Sequence, residues 1–207
     1  MTAEFIRDNA LASSGLLVSK HGGPGVHPYQ PSTLFGRNAI GAANVSFKQS
    51  SGKDLYRRSL YTYWRRQIPA ANMRLLGANG RTACRTRREK TNTPLQALVL
   101  LNDPQFVEAA RALAERCIRE VGTGIPAISH AFRLVTSRHA KPEELEILLA
   151  EHRARLIEFR ADPAASKAYL AGGGQHLAPA DIGPSELAAY AAIASLLLNL
   201  DESISKN

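Results

Sequence analysis

The sequence predicts an all-α protein, an irregular helical bundle of about six to eight helices. Apolar residues recur at three- and four-residue spacing, as in Phe106, Ala110, Leu113 and Cys117, a period that lays side chains along one helix face. Proline recurs where helices should begin, at Pro94, Pro104, Pro126, Pro142, Pro163 and Pro184; its fixed φ and missing N–H suit a first helical turn. No stretch alternates apolar and polar residues between regular turns as a β-sandwich requires, and no internal repeat appears.

Residues 3–20 read as a first helix, with Phe5, Ile6, Leu16 and Leu17 available for burial, stopped by Gly22, Gly23 and Pro24. Residues 22–54 are rich in Gly, Pro, Ser and Asn and lack a period. So long an irregular connector is usually functional, disordered or packed against something absent. In 55–66, Tyr56, Leu60 and Trp64 at four-residue spacing favour a helix, while the run from Leu60 to Trp64 would also suit a strand. Residues 69–81 read as loop.

Thr93, Pro94 and Gln96 form a capping-box pattern that opens a helix to Leu101. Asp103 and Pro104 open an amphipathic helix to about Glu120. Helices follow at 126–136 and 142–159, the second with acids in its first turn, where the helix dipole favours them. Asp162 caps a short helix ending at Gly172-Gly-Gly174, and 172–183 read as a flexible joint. The last helix, 184–198, is apolar nearly all round, which marks it as central to the core. The organisation expected is one helical domain: a first helix in 1–21, a connector at 22–54 and a helical core at 55–207.

Apolar content of 44% and charged content of 21% are ordinary globular values. The formal charge of +8 is local: residues 53–90 hold eleven Lys/Arg against two acids, and the remainder holds fifteen against sixteen. Cys84 and Cys117 give no disulfide framework, no paired metal-ligand spacing and no haem-attachment string, so no cofactor is expected on this chain. Cys117 reads as a buried structural thiol. The six histidines lack a metal-binding frame, and no metal is expected, although His21 and His27 flank the glycine-rich loop. The amino terminus does not read as a secretory signal, and the most apolar run falls short of the ~20 residues that cross a bilayer, so no membrane span is expected. No nucleophile elbow or acid pair stands out, catalytic residues are unknown, and no reaction is assigned to the isolated chain.

Two strings carry the candidate ligand-binding residues. Arg57, Arg58, Tyr61 and Trp64 mix guanidinium with aromatic rings, a pairing that stacks on sugars or bases. Arg87, Arg88, Thr91, Asn92, Thr93 and Gln96, followed by Asn102 and Asp103, combine guanidinium forks with neutral donors beside a helix start, chemistry suited to a carboxylate or sulfate. The second string equally suits a structural corner in which Thr93 caps, Asn92 turns the chain and the arginines pair with acids of neighbouring helices. A desolvated guanidinium without a partner is costly. Arg87 or Arg88 is therefore expected to meet a carboxylate, with Asp201 and Glu202 available, and the two strings are expected to form one pocket.

The strings Tyr56-Arg-Arg-Ser-Leu-Tyr-Thr-Tyr-Trp64, Arg87-Arg-Glu-Lys-Thr-Asn-Thr-Pro-Leu-Gln-Ala-Leu98 and Leu196-Leu-Leu-Asn-Leu-Asp-Glu202 occur in this order. With Ile6-Arg-Asp8, Gly22-Gly-Pro24 and Ala131-Phe-Arg-Leu134, they resemble the C-terminal domain of planctomycete cytochrome-c-associated proteins, a domain of unknown function, over nearly the whole chain. The resemblance implies an extracytoplasmic setting and a cytochrome-c-like partner domain, upstream or separate, that alone would carry haem c. It implies no reaction. It also suggests the terminal piece of a longer protein or a shortened gene product. One departure is that the family's loop before the cysteine is commonly acidic and proline-rich, whereas residues 75–83 here contain no acid. The leading expectation is a non-catalytic or ligand-binding module with an anion or carbohydrate pocket. The alternatives are part of a hydrolytic or redox enzyme acting on an anionic or carbohydrate substrate, and nucleic-acid binding through 53–90, for which no recognised fold signature is present.

Overall fold

The computed structural model describes residues 1–30, 48–64, 69–80, 84, 86–87 and 91–205. In chain order the helices are α1 (Ala3–Ser13), α2 (Ala71–Leu75), α3 (Pro94–Asn102), α4 (Pro104–Val121), α5 (Ile125–Thr136), α6 (Pro142–Ala161), α7 (Pro163–Ala171), α8 (Pro184–Leu198) and α9 (Asp201–Ile204). Among the described residues there is no β-strand, only two isolated bridges, Val18 with Arg57 and Val26 with Thr62. The protein is all-α, as its periodicity predicts.

Helix α8 is the axis of the core. Leu187, Ala188, Ala189, Ala191, Ile193 and Leu197 are buried on several sides, and α4, α5, α6 and α7 pack around them. Its alanines let neighbouring helices approach closely, while each fully buried Leu or Ile contributes roughly 1.5–3 kcal/mol. Helix α4 buries the face its spacing marks, Phe106, Ala110, Leu113 and Cys117. Burial pushes the Cys117 thiol up to about 12, so it stays protonated and serves as packing. No helix among the described residues is long and apolar enough to cross a membrane.

From 94 onward the helix boundaries lie within two residues of those expected. The front of the chain differs more. Helix α1 ends at Ser13 because Gly15 takes a left-handed φ of 78° and the Leu17 amide donates back to the Leu11 carbonyl, a glycine C-cap. The stop thus falls well before Gly22. Residues 55–64 are neither the favoured helix nor a regular strand: 3₁₀ turns at Gly52–Tyr56 and Ser59–Tyr61 alternate with extended residues at the two bridges. Leu60 is 72% exposed, so its spacing from Tyr56 and Trp64 marks no buried face. In 69–80, α2 replaces the expected loop and buries Asn72 and Met73. Asp201 and Glu202 open the short α9 instead of ending α8. Residues 31–47 of the connector and 65–66 lie outside the described residues.

Candidate functional site

The first string is knit into the fold by two buried arginines. Arg7 of α1, 1% exposed, donates from Nε to Gln105 Oε1 at 2.8 Å, from Nη2 to the Leu55 carbonyl at 2.7 Å, and from Nη1 to the Arg57 carbonyl at 2.7 Å and Ser59 Oγ at 3.2 Å. Burial lowers its pKa to about 10, partly opposed by the charges of Asp8 and Asp103, so it stays a cation at neutral pH. Arg57, equally buried, donates to the carbonyls of Lys20, Gly22 and Pro24 and stacks 3.9 Å from the Tyr61 ring centroid. Tyr61 Oη in turn accepts the Gly22 amide at 2.7 Å. Gly22 and Gly23 have φ of 71° and 86°, conformations that let their loop fold around the guanidinium. Arg58 lies 3.5 Å from Asp8, and Trp64 packs on the core. Arg57, Tyr61 and Trp64 thus each have contacts within the fold, and the exposed aromatic ring here is Tyr63, 4.7 Å from the His27 ring.

The described end of the second string, residues 91–96, forms the capping part of the structural corner. Thr93 Oγ1 accepts the Gln96 amide at 3.3 Å, Gln96 Oε1 accepts the Thr93 amide at 2.9 Å, and Gln96 Nε2 donates to Thr91 Oγ1 at 2.8 Å. This capping box starts α3. Asn92 Nδ2 donates to Asp201 Oδ1 at 2.9 Å, and Ser205 Oγ donates to Asp201 Oδ2 at 2.9 Å, tying the corner to α9. Between them lies a cavity of about 190 Å³. Thr91, Asn92, Gln96, Asp201 and Ser205 form its polar side, and Ile6, Leu76, Leu100 and Ile204 its apolar side. Among the described residues of this lining Asp201 is the one ionisable side chain, and Met1 brings its amino group, which donates to the Ile204 carbonyl.

The two strings therefore do not share this cavity: Arg57 and Arg58 are absent from its lining, because each is already engaged, one by backbone carbonyls and one by Asp8. Arg87 is exposed and makes no ion pair among the described residues, and Arg88, the other arginine expected to meet a carboxylate, lies outside them. Glu202 pairs instead with Arg138, at 2.8 Å. Asn102, exposed, donates to the Leu98 carbonyl at 2.9 Å. Asp103 caps α4 through the Gln105 amide at 3.0 Å, and burial holds its carboxyl above the usual range.

A third polar group escaped sequence reasoning. Glu108, fully buried on α4, accepts at Oε1 from Tyr56 Oη at 2.9 Å, Tyr29 Oη at 3.3 Å and the His176 amide at 2.6 Å. Its Oε2 is buried without a partner. Burial, reinforced by the neighbouring carboxylate, raises both phenols above their ordinary range. Arg111, also buried, donates to the carbonyls of Leu170, Gly173 and His176. His176 Nε2 lies 2.9 Å from Glu115 Oε2, so the start of the expected flexible joint is latched onto α4. A Cβ on Gly174 would sit 2.3 Å from Glu108 Cδ, which explains glycine there by space. The available signal was Glu108 and Arg111, one helical turn apart in an alanine-rich apolar run.

Fold and site together define an all-α domain in which Arg7 and Arg57 brace the front of the chain internally and the corner at 91–96 borders a small cavity. The chain belongs to the family described as PSD1, protein of unknown function (DUF1553), whose model matches residues 1–151. The match ends within α6, short of the string at 196–202. No curated protein and no solved structure matches the chain.

Proposed function

We propose that the chain is a ligand-binding module, without catalysis of its own, that takes a small hydroxylated ligand such as one sugar unit. The cavity beside the Thr93-capped corner carries this reading: hydroxyl, amide and carboxylate groups face an apolar wall, the mixture that hydrogen-bonds hydroxyls and covers a sugar's apolar face. Its volume of about 190 Å³ is below the ~300–1,000 Å³ of drug-sized ligand sites, so the ligand is small. The Asp201 carboxylate in the described lining favours a neutral sugar over an anion. The strings at 56–64 and 87–98 support a wider setting, as the C-terminal module of an extracytoplasmic, cytochrome-c-linked protein in which haem c sits on an upstream or separate domain.

Amide-shift titration with neutral and sulfated monosaccharides tests this. Neutral sugars should shift Thr91, Asn92, Gln96 and Ser205, and Asn92→Ala should weaken binding about 5- to 30-fold, the loss of one or two hydrogen bonds. Shifts confined to other surfaces, or none at millimolar sugar, would remove the proposal. A hydrolytic role is the second reading, favoured by the buried, unshared Glu108 Oε2 beside two tyrosines. Turnover of aryl glycosides by the wild type, lost in Glu108→Gln, would put that reading first.

A further inference from the structure

Helix α6 is apolar on two opposite faces. Leu145, Leu148, Leu149, Leu156 and Phe159 turn to the core, where α8 and α7 meet them. On the other face lie Ile147, Ala150, Ala154, Ile157 and Ala161, all exposed, with Ile147 at 69% and Ile157 at 71%. A bundle helix ordinarily turns charge to solvent. These five residues fall instead at alternating intervals of three and four, the spacing of the a and d positions of a coiled-coil seam.

We propose that this face pairs with the same face of a second copy, as an antiparallel two-helix seam. The order Ile147, Ala150, Ala154, Ile157 reads the same in both directions, so a two-fold axis beside residue 152 sets Ile147 against Ile157 of the partner subunit. Ala150 then meets the partner's Ala154, and small residues at the crossing let the axes approach to about 8 Å. Such a self-complementary patch is what an isologous dimer needs. Charged residues line both margins of this face. Along one margin run Glu146, Arg153 and Arg160; antiparallel pairing brings Glu146 beside the partner's Arg160, twice by symmetry. Arg153 approaches the partner's Arg153, the one unfavourable meeting on that margin, on long side chains that can splay into solvent. On the other margin Glu151 and Glu158 are held by Arg155 at 2.6 and 2.8 Å within the chain, which softens their approach to each other. Parallel pairing would set Glu146 against the partner's Glu151, like charge on like, but Arg153 against the partner's Glu158, so cysteine pairing and not charge decides the direction.

Sedimentation across a concentration series reads the seam. The wild-type mass should rise from 22.4 kDa toward twice that value. The Ile147→Lys, Ile157→Lys double variant should stay at the lower mass with unchanged helicity, and Leu177→Lys, at a site 82% exposed and off the seam, should behave as the wild type. Orientation is read in a Cys84→Ser background: Ala150→Cys chains mixed with Ala154→Cys chains should oxidise to a mixed dimer faster than either alone. A wild type that stays monomeric throughout, a double variant that dimerises undiminished, or faster self-pairing of Ala150→Cys each overturns the proposal.

Discussion

Replacing Arg7 by methionine separates an internal brace from a charged surface. Arg7 is 1% exposed, and its guanidinium reaches the carbonyls of Leu55 and Arg57, the Ser59 hydroxyl and Gln105 Oε1. Methionine refills most of the aliphatic volume but leaves two carbonyls and an amide oxygen buried without a donor, at about 1–3 kcal/mol each. Removing a buried cation recovers part of its desolvation cost, so the net loss should be about 3–5 kcal/mol. For a chain of this size about 1 kcal/mol moves Tm by roughly 2–4 °C, which places the drop at roughly 6–20 °C. Arg7→Lys should be nearly as damaging, since one ammonium cannot span acceptors arranged for a planar fork. Urea unfolding gives the stability. Hydrogen exchange at Val18 and Tyr63, whose amides pair with Tyr56 and Val26, shows whether 55–63 detaches first. A methionine variant within about 1 kcal/mol of the wild type, with those amides still protected, would refute the brace.

Three further outcomes follow from buried groups. His152 is 7% exposed, its ring lies 4.2 Å from that of Tyr190, and its Nε2 has no partner. Burial lowers its pKa below 6.5, against weaker opposing effects from Glu186. The unfolded chain therefore takes the proton first: His152's contribution is full above pH 6.5 and declines as pH falls below it. The urea midpoint should drop between about pH 7.5 and 5.5, and drop less in His152→Gln; equal slopes would contradict this. Gly174→Ala sets a Cβ 2.3 Å from Glu108 Cδ and should cost about 1–3 kcal/mol by overpacking, with protease cleavage appearing in 172–183; wild-type resistance would count against the latch. A thiol reagent should label exposed Cys84 at once and Cys117 only on unfolding, and two prompt thiols would contradict the packing role of Cys117.

The legibility of the fold followed where the stabilising interactions lie. Helices from 94 onward are started by side chains visible in sequence, such as Thr93, Asp103 and Asp162 bonding to the first free amides, and they bury faces with a readable period. Residues 52–64 are held instead by Arg7, about fifty residues away in sequence, and by bridges to Val18 and Val26. Local spacing cannot report such a partner, and the Tyr56–Leu60–Trp64 recurrence was accordingly misleading. The 172–183 stretch misled for the opposite reason. Three glycines suggest freedom, but Gly173 and Gly174 are small because the Glu108 backbone and side chain lie directly against them.

At the site, residue types were legible and their partners were not. Reading the +9 of 53–90 as a call for an external anion assumes that a guanidinium must be answered by a carboxylate. Arg7, Arg57 and Arg111 show another answer: all three are at most 3% exposed, and most of their contacts are to backbone carbonyls. Every residue supplies a carbonyl, so no pattern of side chains marks the ones that will converge on an arginine. Several such dipoles partly offset the loss of water around a buried cation, and the cation in turn fixes irregular backbone that has no ladder of its own. Within 53–90, Arg57 is one cation of the excess whose charge is answered inside the fold and not by an anionic ligand. The better pointer is the cavity whose lining gathers the polar side chains of Thr91, Asn92 and Asp201.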